Sequence, residues 1–167
     1  MNGVASAKMR QTEDYRVNYG IELPRLALLS QDIDPKIAGE LWKSRVRECR
    51  IMALMLAVEG VDFDEQMCDV WMDDIRTAEI GQIASLYLFS RLPFASGKAF
   101  EWIACEDEVR QICGFSTLCH LLRRNELSAR ARDEVNDQVE AAMESDCLPL
   151  RKIAAQVKAM MEETGKE

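Results

Sequence analysis

The residues of this chain whose types could do chemistry are mainly arginines, with a few acids among apolar helical stretches. Arg45, Arg47 and Arg50 lie close together, and Arg47 and Arg50, three apart, share one helix face. Arg123 and Arg124 adjoin one another, Arg130 and Arg132 follow, and Arg151 and Lys152 make a further basic pair. If these groups converge on one side, they can hold the phosphates of a nucleic-acid backbone. Each also has a structural reading, which stands slightly ahead for any single arginine. Arg50 can form an ion pair with Glu48, and Arg123 with Arg124 can complement a helix C-terminus. Asp73 and Asp74 are adjacent acids, as in a catalytic carboxylate pair, but they read as a solvated helix end.

Metal and thiol chemistry find little footing. The six cysteines (Cys49, Cys68, Cys105, Cys113, Cys119 and Cys147) contain no C-x-x-C pair, and His120 is the only histidine. Cys113, Cys119 and His120 lack the spacing of a zinc site. We expect reduced, buried thiols in a cytoplasmic protein, with neither metal nor cofactor. No run is long or apolar enough to span a membrane.

The elements that must position these groups are helices. The chain has 167 residues, 48% of them hydrophobic, with four prolines and eight glycines. Leu, Ala, Met, Ile, Glu and Arg dominate, which is a helical composition. The formal net charge of -8 opposes long-range attraction to DNA, so nucleic-acid binding requires a local basic face.

Residues 1–12 read as a loose helix and 13–20 as a connection turning at Gly20. Helices are then expected over 22–31, 34–43 (Asp34 as cap, Pro35 at the first position), 45–58, 62–75, 79–90, 96–105, 106–123, 126–144 and 146–163, with a frayed tail at 164–167. The apolar positions make 45–58 a central helix, and they place Trp42, Trp71 and Trp102 in the core rather than on a base-stacking platform. Short consecutive helices with short connections imply antiparallel pairs. Their spacing is near the ~40-residue period of HEAT-type repeats. The expected fold class is all-α, with antiparallel helix pairs stacked as a HEAT-like α-solenoid in a single domain over residues 1–167.

Several landmarks resemble one family in order and spacing. YGIELPRL at 19–26 is similar to an entry motif in which an aromatic-Gly turn leads into a Pro-containing helix. LWKSRVRECRIMALML at 41–56 resembles a Leu-Trp segment followed by Glu-x-Arg, here Glu48 and Arg50. Trp71, the run of Leu88, Phe89, Pro93 and Phe94, KAFEW at 98–102 and CGFSTLCHLL at 113–122 follow. Together they resemble the short, divergent members of the AlkD-like DNA alkylation repair family of HEAT-like-repeat DNA glycosylases. The resemblance implies a concave helical surface for duplex DNA and hydrolysis of the N-glycosidic bond of a cationic alkylated purine. In such a reaction a carboxylate stabilises the oxocarbenium-like sugar and positions water, aromatic faces attract cationic groups, and a basic side chain anchors a phosphate.

The residues that the family's motif would need are replaced. Alignment on Leu88-Phe89 and Pro93-Phe94 puts Ala78 at the family's Trp, Glu79 at its first acid and Gln82 at its catalytic Asp. Ile112, three residues before Phe115, falls at the anchoring Arg, and Gln156, after Arg151 and Lys152, at the later Trp. Glu79, on one helix face with Gln82, is the local rescue candidate, although a first-turn glutamate also simply favours the helix dipole. No catalytic residue is therefore assigned. Arg45, Arg47, Arg50, Arg151 and Lys152 are the candidate contacts to DNA. The leading expectation is a family member with weak or absent catalysis that offers its helical surface to DNA backbone or to a protein partner. The alternatives are an active alkylpurine glycosylase and a protein-interaction scaffold that does not bind DNA.

Overall fold

The computed structural model describes residues 16–164. The helix expected over 1–12 lies outside the described residues, as do residues 165–167 of the expected frayed tail. The described residues form nine α-helices: α1 (Leu23–Ser30), α2 (Ala38–Lys43), α3 (Arg47–Gly60), α4 (Glu65–Asp73), α5 (Ala78–Tyr87), α6 (Ala95–Ile103), α7 (Glu108–Arg123), α8 (Ala129–Met143) and α9 (Leu148–Thr164). Single 3-10 turns at Pro35–Ile37 and Phe89–Arg91 lead into α2 and follow α5. Val17 and Val46 make an isolated parallel bridge.

Local chemistry sets the helix starts. The Asp34 carboxylate accepts the Lys36 N–H at 3.0 Å, so the expected cap is present, although it caps the 3-10 turn that precedes α2. Thr77, Asp107 and Ser128 cap α5, α7 and α8 through their side chains. These caps place the starts of α7 and α8 two and three residues later than expected. Before α8, Asn125 takes a left-handed φ of 54° and Leu127 is buried, so the chain turns there instead of extending the helix.

Contacts divide the chain into two compact units, with the boundary along the sequence between Cys68 and Asp69. In the first unit α3 is central, with α1, α2 and the 3-10 turn at Pro35 packed on it. Its buried side chains include Ile51, Ala53, Leu54 and Leu56, together with three charged residues, Arg47, Glu48 and Arg50. At its end, a Cβ on Gly60 would lie 1.7 Å from the Pro35 carbonyl oxygen. Only a residue without a side chain lets the chain approach so closely. Gly20, at a φ of 70°, makes the expected turn.

In the second unit α7 is the central helix. Its residues 112–119 are buried without interruption, and α5, α6 and α9 pack on it. A Cβ on Gly114 would lie 2.7 Å from both the Ala99 carbonyl oxygen and Ile103 Cγ1, so α6 and α7 meet almost backbone to backbone. The buried Ser85 hydroxyl bridges α5 to α7, with Oγ 2.9 Å from the Gly81 carbonyl and 3.1 Å from that of Cys113. Phe89 and Trp102 pack with tilted rings, centroids 4.7 Å apart. The core continues through Phe115 and Leu118 to Val135 and Val139 of α8 and to Leu150 and Val157 of α9. Helices in each unit pack on close neighbours in the chain, the pattern of a helical solenoid.

Candidate functional site

The positions that the resemblance aligns with the family's chemistry fall in the second unit, on α5, α7 and α9. Thr77 starts α5 by accepting the Ile80 N–H at 3.3 Å. Ile80, Ile83 and Ala84 turn inward, so the helix presents Gln82 to solvent and leaves Glu79 half-buried in its first turn. Ala78, at the position aligned with an aromatic, is half-buried against the apolar core. Ile112 is only 2% exposed and lies within that core, among residues such as Ala99, Ile103 and Phe115. A guanidinium at this position would have to be desolvated among hydrocarbon side chains. Gln156 is exposed on α9. The aligned positions thus hold a methyl, an uncharged amide, a core aliphatic and a second amide, with Glu79 as the adjacent carboxylate.

The expected basic contacts separate by burial. In the first unit Arg47 is 2% and Arg50 9% exposed, and both are engaged within the packing. Arg47 Nη1 donates to the Ile21 carbonyl at 3.1 Å and lies 3.5 Å from Glu48 Oε1. Arg50 Nε donates to the Trp42 carbonyl at 3.2 Å, and its guanidinium lies 4.2 Å from the centre of the Trp42 ring. Glu48 Oε1 also accepts the N–H groups of Tyr19 at 3.1 Å and Ile21 at 3.3 Å. Glu48 is thereby a clamp that ties the segment before α1 to the central helix. Arg45 is exposed. In the second unit Arg151 and Lys152 are exposed on α9, with Arg151 Nη1 donating to the Ser145 carbonyl at 3.1 Å. Trp42, Trp71 and Trp102 are buried, as expected of core residues.

Three features went unread in the sequence. Lys98, at 6% exposure, is held by Asp69 at 2.9 Å and Glu101 at 3.0 Å. Burial alone would lower its pKa, but the hydrogen bonds and charges of the two acids outweigh it and raise the pKa well above the ordinary lysine value. The clue was a lysine on the same apolar stripe as Ala95, Ala99 and Trp102, with an acid three residues later. Asp73, exposed as expected, pairs with Arg110 of α7. Its neighbour Asp74 is also exposed. Lastly, Arg91 comes near Arg124 and His120, far away in sequence. Burial lowers the pKa of His120, and the charges of Arg123, Arg124 and Arg91 lower it further.

The cysteines are buried (Cys68, Cys113, Cys119) or half-buried (Cys49, Cys105, Cys147). Burial raises the Cys119 thiol to about 11 against a smaller opposing effect of Arg123, so it stays protonated at neutral pH. Among the described residues no group of three His, Cys, Asp or Glu side chains could hold a metal ion. No described helix is long and apolar enough to cross a membrane.

No curated protein and no solved structure gives a significant match to the chain. The profile of a family described as "DNA alkylation repair enzyme" matches residues 5–157, which takes in both units and all the aligned positions above. By that match, with the helical architecture and ordered landmarks already described, the chain belongs to the DNA alkylation repair enzyme family.

Proposed function

We propose that this protein is a divergent DNA alkylation repair family member with weak or absent glycosylase activity, which binds the DNA backbone through its helical surface. The observation that carries the reading is the replacement of the aligned chemistry, with uncharged Gln82 at the aspartate position and Ile112 packed into the core. A positioned charge is typically worth about 10²–10³ in rate when it stabilises charge in a transition state, and Gln82 supplies none. Exposed Arg45, Arg151 and Lys152 are the candidate backbone contacts. Arg47 and Arg50 support their own unit instead, because their guanidinium groups are buried on carbonyl and ring partners.

The test pairs a base-release assay on alkylated duplex DNA with a titration of undamaged duplex at several salt concentrations. The reading expects little or no release of methylated purine and an affinity that falls with salt. Rapid release overturns the catalytic half. Absence of DNA binding at low salt overturns the binding half and leaves a protein-interaction scaffold. Half-buried Glu79, beside exposed Gln82, favours a second reading in which it stabilises the sugar cation. In that case Glu79→Gln abolishes whatever release the native protein shows.

A further inference from the structure

The positive charge at one end of α7 has no role in the preceding reading. Arg91 is the last residue of the 3-10 turn after α5, while Arg123 and Arg124 lie at the end of α7. All three lie near enough to His120 to disfavour its protonation. Arg124 already has partners: it donates to the Ser90 carbonyl, and its Nε lies 3.0 Å from Glu126. Arg91 and Arg123 make no ion pair among the described residues, and both are exposed. Arg91 lines a cleft of about 660 Å³, whose other walls include Ser90, Ser96, Arg124 and Glu126. Glu126 is the one acid in that wall and is already paired with Arg124. In a chain of net charge -8, this is a local excess of positive charge gathered from two sequence-distant segments.

We propose that this cleft is a seat for a phosphate group, with Arg91 as its principal contact, Arg124 as a braced second cation and Ser96 as a hydroxyl donor. The chemistry fits. Guanidinium forks match phosphate oxygens, and a guanidinium without a carboxylate partner gives up no ion pair on binding. The Ser90–Arg124 hydrogen bonds hold one cation in place, which lowers the ordering cost on binding. Under the function proposed above, the phosphate belongs to a DNA backbone, and the inference rests on that reading for its source alone.

His120 is the only histidine, so its imidazole NMR signal reports on this cleft without assignment. The experiment titrates the full chain with a 12-base-pair undamaged duplex and, separately, with inorganic pyrophosphate. The duplex is expected to raise the His120 pKa, because a bound anion offsets the arginines. Arg91→Ala should remove that shift and make the slope of log affinity against log salt shallower by about one. Pyrophosphate should move the same signal in the native protein and not in Arg91→Ala. If pyrophosphate moves His120 but duplex does not bind, the seat stands and the DNA reading falls. If duplex binds with the same salt slope in Arg91→Ala and neither probe moves His120, the seat falls and the DNA reading stands.

Discussion

Gln82 lies exposed on α5, three residues from Glu79, and the two side chains divide the catalytic readings between them. Gln82→Asp places a carboxylate, one methylene shorter than the native amide, at the aligned position. If the surrounding surface still accepts an alkylated nucleotide, release by this variant should exceed that of the native protein by at least about tenfold, a fraction of what a positioned charge supplies. Equal release in both, measured in parallel on one alkylated substrate, indicates that the loss extends beyond a single carboxylate. Gln82→Asp cannot restore the anchoring arginine. Ile112→Arg should destabilise the second unit by about 3 kcal/mol or more, because it places an unpaired charge in the core, and urea unfolding reads that cost. His120 gives a prediction with a sign. Its pKa in the folded chain is lowered, so the unfolded chain binds more protons and stability falls as pH drops below the free histidine value of about 6.5. His120→Gln should flatten that part of the stability profile on the acid side of the free histidine value, as followed by the urea midpoint.

At the scale of elements, glycines mark where backbones meet. Gly60→Ala should cost about 1–3 kcal/mol or more, because its Cβ would meet the Pro35 carbonyl and a carbonyl cannot rotate away as a side chain can. Gly39→Ala, where a Cβ meets nothing within 4 Å, should instead stabilise α2 by about 0.5–1 kcal/mol. Thermal midpoints of the two variants should move in opposite directions. The helix order was legible because period and caps agree: Pro35, Pro93 and the apolar stripes of α3 and α7 place those elements within a few residues. The boundaries missed were those where a side chain chose among neighbouring starts, as Ser128 did over Glu126. The fate of Arg47 and Arg50 was half-legible. They share the stripe of Ile51 and Leu54, which foretells burial, but their acceptors, the carbonyls of Ile21 and Trp42, lie outside α3 and leave no local pattern. The approach of Arg91 to the end of α7 was illegible because it joins segments distant in sequence.

For the whole molecule, net charge sets the expectation for binding. With Arg45, Arg151 and Lys152 as exposed candidates and Arg91 in its cleft, few phosphates can be neutralised against a background of -8. The salt slope with duplex DNA should therefore be no steeper than roughly −4, at about 0.9 per phosphate. A much steeper slope would mean that further cations take part.

The Glu48 clamp has a consequence in time. Its carboxylate holds Tyr19, 29 residues earlier in the chain. During synthesis the segment around Tyr19 leaves the ribosome well before α3 does, and it has no anchor until Glu48 follows. The first unit cannot close turn by turn as the chain emerges; it must wait, then close in one step. Nascent chains arrested at increasing lengths should show this as an abrupt gain of protease resistance near residues 16–21, once α3 has cleared the exit tunnel. In Glu48→Ala that gain should be blunted or delayed.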